Sequence, residues 1–144
     1  MKRIEKDLKE LSKHAIPGFH VGTRDGLLTQ WVLLIEGPTD SPYSEGLFLV
    51  EVTFPVDYPF AAPSIRFRTR IYHCNVDLEG HVSMPVLRNW SPTTEMSEVL
   101  HSLRRRFLEP DLRHAQMRSL AFDYVYNHEV YLRKAEEWTG RYAK

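Results

Sequence analysis

The sequence predicts an α+β domain: an N-terminal helix, a four-stranded antiparallel meander sheet, an irregular active-site-like segment and C-terminal helices. Three observations carry this. Apolar residues recur at helical spacing at both ends of the chain. Between those ends lie four short β-rich runs, the first two joined by Asp25-Gly26. Residues 69–92 follow neither the helical nor the strand period. Strands grouped first and helices grouped later favour α+β over an alternating α/β arrangement.

Each element has its own warrant. Residues 2–14 place Ile4, Leu8 and Leu11 on one helical face among lysines and glutamates, and Pro17-Gly18 ends the run. Phe19 to Arg24 and Leu27 to Glu36 read as a hairpin about Asp25-Gly26. Gly37 to Gly46 is a loop by its Pro, Gly, Asp and Ser content. Leu47 to Phe54 alternates along a third strand. Pro55, Pro59 and Pro63 interrupt regular structure, and Ser64 to Arg68 is a fourth strand. Thr94 is placed to cap a helix whose apolar face is Met96, Val99, Leu100, Leu103 and Phe107. Pro110 stops it. Asn127 is placed to cap a last helix bearing Tyr131, Ala135 and Trp138, with a shorter helix between the two.

Composition excludes several function classes. The formal net charge is zero, so nothing in the overall balance calls for nucleic acid or an anionic membrane. Arg104, Arg105 and Arg106 spread around a helix and cannot form one basic stripe. No stretch approaches the roughly 20 apolar residues of a membrane span, and Met1 to Lys6 shows no apolar signal-peptide core. Cys74 is the single cysteine, so an internal disulfide is impossible and a reducing compartment, cytosol or nucleus, is expected. The histidines show no metal-ligand spacing, and neither a metal nor a cofactor is expected. The length predicts one domain over residues 1–144.

The irregular segment holds the candidate chemistry. It runs from Tyr72-His73-Cys74-Asn75 through Gly80-His81-Val82-Ser83-Met84-Pro85 to Trp90-Ser91-Pro92. Irregular backbone on a rigid scaffold is where functional side chains concentrate. Ser83 and His81 suggest a hydrolase pair, but the second glycine of a nucleophile elbow is missing and no orienting acid is evident. Cys74 reads as a small core residue in preference to a displaced nucleophile.

Gly37-Pro38-Thr39-Asp40-Ser41-Pro42-Tyr43, Phe54-Pro55-Val56-Asp57-Tyr58-Pro59-Phe60 with Pro63, Tyr72-His73 and Trp90-Ser91-Pro92 occur in an order that resembles the ubiquitin-conjugating (UBC) family across nearly the whole chain. The resemblance implies a UBC fold and a two-step acyl transfer. An activating enzyme hands ubiquitin or a ubiquitin-like protein to a cysteine as a thioester, and a substrate lysine or a ligase then receives it. Here Ser83 stands at the cysteine's position. An alkoxide forms and leaves far less readily than a thiolate, so the serine would charge slowly and hold an oxyester. Three readings of Ser83 stay open: natural loss of the nucleophile, an engineered Cys→Ser exchange, and an ordinary loop serine.

The same resemblance assigns Asn75 to steadying the local loop and the oxyanion, and His114 to the gate of the site. Pro85 and His114 are also similar to a branch that passes its modifier to a ligase cysteine. Arg3, Lys6, Phe60, Pro92 and Thr93 are expected to contact a RING-type or cysteine-relay ligase. His101 and Arg105 are expected to face the donor modifier. Cys74 in place of the family's proline, and the charge at His101 and Arg105, depart from the pattern. The expected function is a conjugating-enzyme homologue. The alternative is a catalytically inactive variant that binds as cofactor or competitor.

Overall fold

Asp25 and Gly26 turn the chain with φ of 53° and 74°, the left-handed pair that a two-residue hairpin requires. The structure, a computed structural model, describes residues 2–144. The turn joins β1 (Phe19–Arg24) to β2 (Leu27–Glu36), and β3 (Leu47–Thr53) and β4 (Ser64–Phe67) follow. All neighbours are antiparallel, in the order β1-β2-β3-β4. The meander and the leading helix α1 (Lys2–Lys13) agree with the sequence reading. The third and fourth strands each end one residue earlier than expected, at Thr53 and Phe67. Arg68 still donates its N–H to the opposite Leu49 carbonyl at 2.8 Å, but the Leu49 N–H turns to the Thr69 hydroxyl at 2.9 Å, so the pair is not completed.

Alternation makes one face of the sheet the core face. Trp31 lies opposite Val52, Leu33 opposite Val50 and Ile35 opposite Phe48, and all six are buried. Against them packs α3 (Met96–Leu108) through Met96, Val99, Leu100, Leu103 and Phe107. The Phe48 and Phe107 rings sit 5.4 Å apart, and Trp31 meets Phe54 edge-on at 4.8 Å. Burying each of these large side chains contributes about 1.5–3 kcal/mol. The expected Thr94 cap is not made. The helix starts at Met96, Glu95 takes the cap position without a side-chain bond, and Thr94 is buried with its carbonyl held by Arg3.

Two more helices close the chain, α4 (Arg118–Tyr126) and α5 (His128–Tyr142). Asn127 does occupy the cap position of α5, but its side chain donates back to Asp123 at 3.1 Å rather than capping forward. The segment 69–92 is mostly irregular, as expected, but includes one short helix, α2 (Pro85–Arg88). No helix among the described residues is long and apolar enough to cross a membrane.

The irregular segment is fastened to the sheet. The Phe67 N–H donates to the Gly80 carbonyl at 2.8 Å, and Arg66 pairs with His81 in an isolated antiparallel bridge. Gly80 is required there. Its φ is +96°, and a Cβ would lie 2.0 Å from the Phe67 carbonyl oxygen. A second bridge, Val76 to Val82, folds the strip on itself just before Ser83.

Candidate functional site

Asn75 anchors the site. It is fully buried, and its carbonyl accepts the Ser83 N–H at 2.9 Å. Its carboxamide accepts from the Asp111 N–H and donates to the Asp111 carbonyl, both at 2.8 Å. One residue therefore fixes both the strand that delivers Ser83 and the loop after α3.

His73 braces the same region from below. Its Nδ1 accepts from the Asn75 N–H at 3.0 Å, which leaves Nε2 as the protonated nitrogen, donating to the Arg106 carbonyl at 2.6 Å. Burial pushes its pKa down to about 4, so the ring is neutral at pH 7. Cys74 beside it has no exposed surface, and burial raises its pKa to about 11. A neutral His73 supplies no cation to lower it. The core reading of Cys74 fits this setting.

Ser83 is 7% exposed and lies at the rim of the site. Its Oγ accepts a hydrogen bond from Arg88 Nη2, and the same nitrogen donates to the His114 carbonyl at 3.2 Å. Arg88 thus joins the residue at position 83 to the loop opposite. His114 is exposed, with Nδ1 against Asp111 Oδ2 at 2.9 Å. Burial works against the charge on Asp111, but the His114 ring and the Arg113 N–H outweigh it and hold the carboxyl below its usual range.

The hydrolase pair is not assembled. His81 does have an acid, contrary to the sequence reading: Asp77 Oδ2 lies 3.3 Å from its Nδ1. The imidazole is exposed on that side, however, and the recorded partner of Ser83 Oγ is Arg88. Among the described residues, no group of three His, Cys, Asp or Glu side chains could hold a metal ion.

A second constellation forms where α1 meets two loops. Arg3 reaches the Pro92 and Thr94 carbonyls, pairs with Asp7 at 3.1 Å and lies over the Tyr58 ring. Trp90 Nε1 donates to the Pro59 carbonyl at 2.7 Å, which ties the Phe60 loop to the Pro92 loop. Phe60 is 77% exposed, and Pro92, Thr93 and Lys6 are exposed as well. Arg3 differs from the other four: its guanidinium is spent inside the fold. His101 and Arg105 are exposed one turn apart on α3, opposite its core face, and no recorded bond brings them to Ser83.

Sequence reasoning missed Arg88 and Asp111. A basic residue five positions after Ser83 was the available signal for Arg88. Asp111 acts largely through its backbone, which no side-chain pattern reveals.

Comparisons with known proteins agree with this arrangement. The sequence profile of the family described as ubiquitin-conjugating enzyme matches residues 3–139. Ubiquitin-conjugating enzyme E2 13 of Saccharomyces cerevisiae is 38% identical over 144 residues, covering 99% of this chain and 94% of that protein. The match spans the sheet, the strip carrying Asn75 and Ser83, and the loops around Phe60 and Pro92.

Proposed function

The chain belongs to the ubiquitin-conjugating enzyme family, and from that premise we propose that Ser83 occupies the position of the family's catalytic cysteine. In this reading ubiquitin or a ubiquitin-like protein arrives from an activating enzyme as a thioester. Ser83 Oγ attacks the thioester carbonyl. An O–C bond forms, the C–S bond breaks, and the hydroxyl proton goes to the departing thiolate. Asn75 holds the loop that frames the carbonyl, and His114 stands at the entrance for the acceptor. Phe60, Pro92, Thr93 and Lys6 form the surface for a ligase, with Arg3 fixing its shape from within. His101 and Arg105 face the donor modifier. A cytosolic or nuclear setting suits this chemistry and the single reduced thiol.

The observation that carries the reading is the double fastening of Ser83. Its backbone is fixed by Asn75 and its hydroxyl is met by Arg88 at the mouth of a loop-lined site. The same observation favours a second reading. No base is recorded on Ser83 Oγ, so the hydroxyl is poorly activated. With serine at position 83, the chain would then act as a non-catalytic variant that binds a ligase, a conjugating enzyme or a modifier.

One assay separates the two. The chain and Ser83→Cys are incubated with activating enzyme, ATP and a panel of modifiers, then run on gels with and without thiol. A thiol-sensitive adduct on Ser83→Cys, with a slow thiol-resistant one on the parent, supports the conjugating scaffold. No adduct on either with any modifier overturns it and leaves the binding variant.

A further inference from the structure

One cleft gathers positive charge that the fold does not neutralise. It has a volume of about 420 Å³ and lies beside position 83, lined by Arg88, Leu112, Arg113, His114, Arg118 and Ala121, with no carboxylate among its lining residues. Arg88 ends α2, Arg113 sits in the loop after α3 and Arg118 opens α4. None of these arginines takes part in an ion pair among the described residues. The side chains of Arg113 and Arg118 make no recorded hydrogen bond, while Arg88 reaches only neutral oxygens, on Ser83 and His114. The nearby Asp111 is already committed, with Oδ2 on His114 at 2.9 Å and Oδ1 on the Arg113 N–H at 3.2 Å.

Outside the cleft, four arginines are in ion pairs among the described residues, while Arg66, Arg70, Arg104, Arg105, Arg106 and Arg141 are not, so an unpaired arginine alone is ordinary and the gathering of three around one opening is what marks this place. Arg3 meets Asp7, Arg24 and Arg68 share Glu51, and Arg133 lies against Glu137. The chain as a whole carries no net charge. The cationic cleft is therefore a matter of placement, not of composition. The N-terminus of α4 adds to it, since Met117 provides no side-chain cap. Guanidinium groups around one opening repel one another at separations within the Debye length of about 8 Å at physiological salt. A ligand carrying several negative charges removes that cost.

We propose that this cleft binds an acidic segment of a protein partner, with its carboxylates on Arg88, Arg113 and Arg118. The forks come from three separate elements, so they suit several spaced carboxylates, each taken bidentately. Leu112, 39% exposed, and Ala121 offer apolar surface for the aliphatic part of such a chain. A lone phosphate would leave that surface uncovered. Taken with the reading of position 83 as the reacting centre, on which this consequence rests, the cleft selects acceptors with acidic residues beside the receiving group. It also disfavours a bare lysine ammonium.

The test is fluorescence anisotropy of a labelled Gly-Glu-Glu-Asp-Glu-Glu-Gly peptide against its Gln/Asn counterpart. The proteins are the full chain, Arg88→Gln/Arg113→Gln/Arg118→Gln, the matching all-Lys triple variant, and Arg133→Gln/Arg141→Gln as a surface control. The acidic peptide should bind, more weakly as salt rises, and the neutral one should not. The Gln triple variant should lose at least about tenfold in affinity, and the control should stay within about twofold. The Lys triple variant keeps the charge but loses the forks, so its affinity should fall between those of the parent and the Gln variant; if the Gln variant fails to fold, an affinity of the Lys variant equal to the parent's overturns the proposal. Equal binding by parent and Gln variant, or equal binding of both peptides, overturns the proposal. So does binding of inorganic phosphate without binding of the peptide. None of these measurements needs modifier or activating enzyme, so this proposal and the charging reaction can fail independently.

Discussion

Asn75 holds the Asp111 backbone by both of its polar groups, at 2.8 Å each, across 36 residues of sequence. Asn75 is fully buried and Asp111 partly so, and removing the carboxamide leaves a backbone donor and an acceptor unpaired. Asn75→Ala should cost about 2–4 kcal/mol, read as a lower urea midpoint with an unchanged slope. Asn75→Asp should also be destabilising, because one carboxylate oxygen would then face the Asp111 carbonyl. A stability within experimental error of the parent for Asn75→Ala would remove the clamp from this account.

His73 should give the protein an acid-sensitive window. Its folded pKa is pushed by burial to about 4, below the usual 6.5. The unfolded chain therefore binds more protons between those values, and stability falls as pH falls through them. The full contribution is present above about pH 6.5 and is lost progressively toward pH 4, on the order of 3 kcal/mol in all. Urea midpoints measured from pH 7.5 to 4.5 should show the decline. In His73→Phe they should start lower and fall less steeply. Parallel curves would assign the slope to other groups.

The two thiol positions should behave oppositely. Cys74, buried with a pKa near 11, should resist an aromatic disulfide reagent at pH 8 and react as one equivalent in urea. Ser83→Cys should add one thiol that reacts in the native protein. Arg88 stands beside it, so Arg88→Gln should move the half-point of its alkylation rate up by about 0.5–1 pH unit. No shift would mean that the guanidinium does not stay near a thiol at that position.

Asp7 is a buried junction between α1 and the loops above it. It accepts from Tyr58 Oη at 2.8 Å and from Arg3 Nε at 3.1 Å. Asp7→Ala should cost about 2–4 kcal/mol, and Tyr58→Phe about 1–2. Arg3→Ala should cost much less in the Asp7→Ala background than in the parent, since the pair acts as a unit. Strictly additive values from denaturant titrations would break that coupling.

Much of the fold was legible because its signals are local. Alternation from Leu47 to Phe54 and the Asp25-Gly26 turn pointed to the meander, and the spacing from Met96 to Phe107 set the face of α3. The failures were equally local in cause. Thr94 and Asn127 have cap-forming side chains, but Arg3 claims the Thr94 carbonyl and Asp123 the Asn127 amide. Both are tertiary or backward contacts that a forward pattern cannot show. Within the site, the motif pointed to Ser83 and Asn75. Their partners Arg88 and Asp111 became visible only once irregular backbone had brought them together, 36 residues away in the case of Asp111.

The contact between Phe67 and Gly80 has a wider consequence. β4 is the last strand of the sheet, and its outer side would otherwise present unpaired backbone groups to any passing chain. The strip that delivers Ser83 is also the guard on that margin. A lesion that loosens the strip, such as Gly80→Ala, would do more than displace a side chain. It would uncover a template for strand addition, and damage to this site should appear as self-association as well as lost function.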